Sequence, residues 1–181
     1  MVNAIRENVH YGAIVIKSVV DDQDYIYSVD DTRFMKEEAV RAGRRLAAHA
    51  WTAQGAHSAA AAGVTSMEHL WAIEDSDLEL AMANGVTAVF TPFPDAEWNV
   101  MRNLSTAEMS AVHIQQIGRL RSALRIGIPM VFGTDTITAL PGHTRGSLAM
   151  SRIDMPQAVG GLRHSRARAS GLGSSGSQPR P

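Results

Sequence analysis

The feature that most constrains the fold of this chain is a regular alternation of short apolar segments with helical segments. The apolar segments cover residues 13–20, 45–50, 64–68, 86–91 and 129–132. The first of them, AIVIKSVV, is almost continuously β-branched, as expected of a strand covered on both faces. Such an alternation predicts an α/β fold in which parallel strands are joined by right-handed helical crossovers.

The connecting segments show helix signals of different strength. Residues 53–62 and 75–83 have helical patterns that end in glycine-containing turns. Ser105 and Glu108 form a capping-box pair that predicts the start of a long helix, ending near residue 126. The first connection contains only a short predicted helix at 33–41, which is too short to cover a strand well.

Composition excludes several functional classes. The formal net charge of −1, from 17 basic and 18 acidic residues, disfavours a nucleic-acid partner. The absence of cysteine excludes disulfides, cysteine-ligated zinc and thiol catalysis. No apolar run approaches the ~20 residues of a membrane span. The first ten residues contain Arg6, Glu7 and His10 rather than an apolar signal core. We therefore expect a cytoplasmic protein with neither a nucleic-acid nor a membrane partner.

The chain length of 181 residues predicts one domain with a tail. Residues 160–181 are rich in Gly, Ser, Arg and Pro, and their only large aliphatic residues are Leu162 and Leu172. Such a segment cannot bury enough apolar area to offset its ordering entropy, so we expect a disordered tail after a folded domain at 1–159. An alternative is that the RHSRAR portion of the tail contacts an acidic surface.

Polar residues interrupt or follow the predicted strands at corresponding places. Lys17 lies within the first strand, His49 near the end of the second, His69 at the end of the third and Asp135 after the last. The carboxyl ends of parallel strands share one edge, where α/β folds place their active sites. Imidazole and carboxylate groups suit Zn²⁺, Mn²⁺ or Ni²⁺, and a buried lysine becomes a ligand when CO₂ converts it to a carbamate.

Each of these residues also has a purely structural interpretation. A histidine at a strand end is commonly a satisfied core residue, and Asp135 is compatible with a turn. Lys17 has Asp21 and Asp22 nearby in sequence as ion-pair partners. The occurrence of four such residues at successive strand ends favours a shared site.

Four segments together resemble the amidohydrolase superfamily, in particular its imidazolonepropionase and Xaa-Pro dipeptidase-like branch. They are residues 16–17 (IK), 48–52 (AHAWT), 62–69 (AGVTSMEH) and 132–135 (FGTD), and the resemblance extends over residues 10–155. It implies a metal-dependent (β/α)₈ barrel, of which this chain would form a partial TIM-type barrel. About five parallel strands, the family's strands 4 to 8, would then have helices on their outside.

The resemblance also implies roles for individual residues. Lys17 would be the lysine of the fourth strand, often carboxylated and metal-bridging, and His49 and His69 the metal ligands of the fifth and sixth. Asp135 would be a metal ligand and the catalytic acid/base of the eighth strand. The family's first-strand His-x-His pair is absent from this sequence. We therefore expect one divalent ion per chain, with Zn²⁺ favoured and Mn²⁺, Ni²⁺ or Co²⁺ as alternatives.

Other side chains near these positions are candidates for contact with a small-molecule substrate. The candidates are Tyr25, Tyr27, Trp51, Trp71, His143 and Arg145. Packing is the alternative role for the aromatic residues. Arg145 would pair with a substrate carboxylate, or else lie on the surface as an ordinary arginine.

Three functions follow from these expectations. The first is a metal-dependent hydrolase of amide, ester or phosphoester bonds, weak or promiscuous because the His-x-His pair is missing. The second is an inactive metal-binding fragment, and the third a self-assembling structural module.

Self-association is expected because five strands cannot close a barrel of eight. The inner face, predicted to include Ile14, Ile16, Val89 and Val131, would lie open to water. We expect a homodimer or a higher even oligomer, since such faces and edges pair readily with another chain.

Overall fold

Five parallel strands form the centre of the fold, as predicted. The computed structural model describes residues 1–22, 24–135, 140–144 and 146–147; the predicted tail, the domain boundary near 159 and Arg145 lie outside them. The strands are β1 (Val15–Val19), β4 (Arg45–His49), β5 (Ser66–Glu68), β6 (Thr87–Phe90) and β7 (Met130–Phe132). They pair in the order β1-β4-β5-β6-β7, all in parallel, and within the described residues the sheet is open rather than closed into a barrel.

Helices connect the strands. They are α1 (Val2–His10), α2 (Val29–Arg41), α3 (Ala53–Ala62), α4 (Asp75–Ala83), α5 (Asp95–Arg102) and α6 (Thr106–Ile126). The capping box at the start of α6 is present: the Ser105 hydroxyl accepts from the backbone N–H of Glu108, whose carboxylate accepts from the backbone N–H of Ser105. None of the helices in the described part of the chain is long and apolar enough to cross a membrane.

The helix before β4 is longer than the sequence predicted. It is the 13-residue α2 rather than a short piece at 33–41, and it begins with a capping box formed by Ser28 and Asp31. Aspartate takes the place of the usual Glu or Gln in this box, so the start of the helix was missed. Met35 and Ala39 of α2 are buried in the hydrophobic core.

The two faces of the sheet differ in what covers them. Leu46, Ala48, Met67 and Ala88 are fully buried on one face, where they form a single core with apolar residues of α2, α3, α4 and α6. On the other face, the strand pairing aligns one residue from each strand in a row across the sheet: Val19, His49, Glu68, Val89 and Val131. We call this second face the open face.

The predicted composition of the open face was partly wrong. Ile16 is buried on the helix-covered face, because residues alternate along β1 and Lys17 takes the open side. Ile14 precedes the strand and is 80% exposed. Val89 and Val131 belong to the open face, as predicted.

A small antiparallel hairpin follows β1, before α2 begins. Its strands are β2 (Asp21–Asp22) and β3 (Tyr25–Ile26). The hairpin brings Asp21 back towards the carboxyl end of the sheet, beside the chain that follows β4.

The outer strands β1 and β7 both expose apolar side chains. Val15, Val19, Val131 and Phe132 are 40–49% exposed. Among the residues that the structure describes, no further strand pairs with β1 or β7 on its outer side, and unpaired edges template pairing with another chain. We propose that a second copy of this chain covers these edges, giving a homodimer or higher even oligomer with the carboxyl ends of the strands near the interface.

Light scattering at micromolar concentration should therefore give at least twice the 19.5 kDa chain mass. Val15→Lys should shift the mass towards that of one chain, because a charged edge residue opposes strand pairing. Val40→Lys is the matched control, since Val40 is similarly exposed but lies on helix α2 rather than on an outer strand. A wild-type chain that melts cooperatively as a monomer would contradict this expectation.

Candidate metal centre

Two histidines from adjacent strands meet at the carboxyl edge of the sheet. His49 is the last residue of β4, and His69 directly follows β5. Their ring centroids are 4.5 Å apart, at an interplanar angle of 70°. The His69 residue is buried, whereas the His49 side chain is about a quarter exposed. The pair therefore presents two imidazoles at one point of the open face.

A left-handed turn places His69 in this position. The φ angles of His69 and Leu70 are 78° and 58°. Simple alternation after Glu68 would direct His69 to the covered face, and the turn directs its ring back beside His49. Non-glycine residues in this region cost of order 1–3 kcal/mol each, and such outliers concentrate at functional sites.

Thr91 fixes the His69 ring. Nδ1 of His69 lies 2.8 Å from the hydroxyl of Thr91, just after β6, and the His69 backbone N–H donates to the Val89 carbonyl. A hydrogen bond of this kind to a ring nitrogen restricts both the tautomer and the orientation of the imidazole.

Asp135 also reaches this pair. Its Oδ2 lies 3.8 Å from Nδ1 of His69, and its backbone is left-handed too, with φ of 40°. Burial, aided by the nearby His49, lowers the pKa of His69 from 6.5 to about 4, although Asp135 acts in the opposite direction. His69 is therefore a neutral imidazole at neutral pH, which is the form that binds metals.

Lys17 is not the buried residue that the sequence suggested. Its side chain is 49% exposed on the open face, and Nζ lies 4.0 Å from Oε2 of Glu68. Glu68 is largely buried and accepts a hydrogen bond from the Ser66 hydroxyl. The sequence analysis did not identify Glu68 as a site residue, although an acidic residue within an apolar strand could have indicated it.

The buried carboxylate of Asp21 was also overlooked as a site residue. It accepts hydrogen bonds from the backbone N–H groups of Trp51 and Thr52 and from the Thr52 hydroxyl. Its Oδ1 lies 3.8 Å from Nε2 of His49. Asp21 had been considered only as an ion-pair partner of Lys17.

The three tryptophans of the chain converge beside the histidines. Trp51 and Trp71 stack with their centroids 5.3 Å apart, and Trp98 lies 5.1 Å from Trp71. Trp51 also lies parallel to the His49 ring and edge-on to His69. Trp98 is buried and was not identified from the sequence.

A groove of about 620 Å³ opens next to His49. Its lining residues are Asp21, Asp24, Tyr25, Ile26, His49, Trp51, Thr52 and Arg102. Of the other predicted substrate contacts, Tyr27 packs against the core and His143 is exposed. Arg102 lines this groove and could pair there with a substrate carboxylate, the role predicted for Arg145. Arg145 itself lies outside the described residues.

The donor chemistry of these residues fits a divalent cation. Two imidazoles form a pair, one carboxylate lies beside it, and Lys17 is close enough for its charge to affect His69. Within the described residues, no group of three His, Asp or Glu side chains is close enough to hold a metal ion. The two imidazoles are thus already placed together. A third metal ligand would have to come from Lys17 or from movement of the Asp135 carboxylate.

The chain is similar in sequence to a curated protein over most of its own length. No family model matches the chain. Ochratoxinase from Aspergillus niger is 25% identical over 166 residues, which cover 84% of this chain and 35% of the ochratoxinase. The chain thus spans about a third of the length of this curated relative.

Solved structures show the same partial coverage. The crystal structure of an amidohydrolase matches with a TM-score of 0.69 and 26% identity, over 87% of this chain and 41% of the amidohydrolase. A Xaa-Pro dipeptidase with bound methionine matches with a TM-score of 0.69 and 21% identity, over 88% and 42% of the two chains. The order of the strands and the match to the amidohydrolase lead to one conclusion: the chain is similar to the amidohydrolase superfamily and corresponds in fold to part of an amidohydrolase chain.

Proposed function

We propose that this chain is a metal-dependent hydrolase of the amidohydrolase type, acting in the cytoplasm on an amide, ester or phosphoester bond of a small molecule. The observation behind the proposal is the His49–His69 pair, with Asp135 beside it, at the carboxyl edge of the sheet. The names of its relatives, an ochratoxinase and a Xaa-Pro dipeptidase, support hydrolytic chemistry.

His49, His69, Lys17 and Asp135 are the residues that would hold the metal. One Zn²⁺ per chain is favoured, with Mn²⁺, Ni²⁺ or Co²⁺ as alternatives, because imidazole and carboxylate ligands suit these ions. Lys17 would join as a carbamate, formed when its neutral amine adds CO₂ and releases a proton. Its partial exposure leaves the amine accessible to CO₂. A bound ion of this type polarises the scissile group and lowers the pKa of a bound water towards ~7.

The side chains around the pair have distinct tasks. Asp135, partly exposed beside His69, would take a proton from the attacking water and pass it to the leaving group. Thr91 keeps the His69 ring in place. Tyr25 and Trp51 line the groove in which the substrate would lie, and Trp71 supports Trp51 by stacking.

The open groove favours a second candidate function, metal binding without turnover. Efficient hydrolysis requires a site that excludes water and fixes its reacting groups. Here Lys17 and Tyr25 are about half exposed. We therefore expect low catalytic rates, and a zero rate with intact metal binding would select the second candidate.

Purified protein should take up about one Zn²⁺ per chain, measured by elemental analysis, and should hydrolyse at least one member of an ester, lactone and phosphotriester panel. The double variant His49→Ala/His69→Ala should lose both properties, since it removes the two imidazole ligands. Asp135→Asn should leave zinc bound by the other three ligands, His49, His69 and Lys17, but lower turnover by about 10²–10⁴-fold, the usual contribution of a general acid/base.

The matched control is His57→Ala/His113→Ala. These histidines pair with Asp77 and Asp95 outside the candidate centre, so both zinc content and turnover should remain. Unchanged zinc binding in the His49→Ala/His69→Ala variant would rule out the proposed metal centre.

Metal-free protein should show a His69 imidazole that titrates in NMR spectra with a pKa of about 4. The unfolded chain takes up this proton at an ordinary histidine pKa, about 6.5, and the folded chain only near 4. The free energy of unfolding should therefore fall as the pH is lowered from 6.5 to 4, and His69→Gln should reduce that slope. Titration of His69 at 6.5 would contradict its burial in the folded protein.

A further inference from the structure

The carboxylate of Asp21 is buried at the carboxyl edge of the sheet but does not belong to the proposed ligand set. Its side chain is 1% exposed. Oδ1 lies 2.8 Å from the Trp51 nitrogen, and Oδ2 lies 2.6 Å from the Thr52 nitrogen and 2.7 Å from the Thr52 hydroxyl. Burial of a carboxylate requires such compensation, and all three donors belong to the turn that follows His49.

The first turn of α3 is built closely around this carboxylate. Thr52 caps the helix by accepting from the Gly55 backbone N–H at 3.0 Å, while donating its own hydroxyl proton to Asp21. A Cβ atom at Gly55 would lie only 2.1 Å from Oδ2 of Asp21. Glycine at position 55 therefore provides the space that the carboxylate occupies.

The same carboxylate faces the imidazole of His49. Nε2 of His49 lies 3.8 Å from Oδ1, and the ring of Trp51 lies parallel to the imidazole at 6.1 Å. The backbone N–H of Val20, next to Asp21, donates to the His49 carbonyl at 2.9 Å. Asp21 and its neighbour thus contact the segment from His49 to Thr52 through backbone and side chain.

We propose that Asp21 is a positioning residue for His49: its buried carboxylate fixes the Trp51–Thr52 turn and faces Nε2 of the imidazole. The negative charge favours the tautomer that has its proton on Nε2, which leaves the lone pair on Nδ1. Carboxylates that accept a hydrogen bond from the second ring nitrogen orient metal-binding histidines and increase their basicity. At 3.8 Å, Asp21 acts on Nε2 through its charge. The role in metal binding rests on the proposed function, whereas the effect on the His49 ring is a property of the metal-free protein.

Nitrogen-15 NMR of the imidazoles in metal-free protein at pH 8 tests this directly, because neutral histidines then report their tautomers. Wild-type His49 should be mainly in the Nε2–H form. Asp21→Asn should produce a mixture of tautomers and should weaken zinc binding by about 10–100-fold, the usual effect of losing such a partner. Gly55→Ala should change both readouts in the same direction, because it displaces the carboxylate without altering a charge.

Two matched controls separate positioning from general damage. Asp77→Asn removes the α4 carboxylate that pairs with His57 of α3, and should leave the His49 tautomer and the zinc affinity unchanged. Gly118→Ala adds the same methyl group on α6, where nothing beyond the adjacent helix backbone lies within 4 Å of the new Cβ, and should also change neither.

A wild-type His49 mainly in the Nδ1–H form would overturn the proposal, and this measurement needs no variant to fold. A His49 tautomer unchanged in a folded Asp21→Asn variant would overturn it as well. If wild-type protein binds no zinc, the proposed function fails, while the tautomer comparison still decides the role of Asp21.

Discussion

The parallel register of the sheet is the constraint on which the candidate centre depends. It aligns Val19, His49, Glu68, Val89 and Val131 in one row on the open face. Because side chains alternate along each strand, the same register directs Leu46, Ala48 and Met67 into the core beneath the helices. A shift of one residue in any strand would bury its polar side chains and expose its apolar ones. The packing of the core thus decides which polar groups meet on the opposite side.

Local backbone geometry then completes what the register begins. Three non-glycine residues with positive φ, His69, Leu70 and Asp135, lie at the carboxyl ends of β5 and β7. Their conformations oppose the intrinsic preference of the chain, and the surrounding contacts compensate for this cost. Thr91 holds the ring of His69, and the buried Leu70 belongs to the main core. Asp21 gives comparable support to the chain beyond His49.

Sequence patterns predicted the features that depend on local periodicity. The five strands, the helix capped by Ser105 and the parallel sheet all follow from apolar alternation and capping signals. The convergence of residues at strand ends follows from parallel topology, and the structure places His49 beside His69. The predictions that failed required knowledge of which face of the sheet the helices cover. Ile16 and Lys17 are adjacent in an apolar run, and only the position of the helices decides which of them is buried.

Long-range contacts account for the residues that the sequence did not reveal. Asp21 is 30 residues from Trp51, and its hydrogen bonds depend on the hairpin that returns it to the sheet edge. Trp98 comes from α5 and meets Trp71 only through the tertiary fold. No local sequence pattern distinguishes Asp21 from an ordinary acidic loop residue, or Trp98 from an ordinary aromatic residue of the core.

X-ray absorption of the zinc-loaded protein tests the central claim most directly, because it reports the ligands around the ion itself. The account predicts nitrogen or oxygen ligands at about 2.0–2.2 Å. It also predicts outer-shell scattering from two imidazoles, corresponding to the histidines that lie 4.5 Å apart at the sheet edge. A spectrum with oxygen ligands alone, and no imidazole scattering, would contradict it.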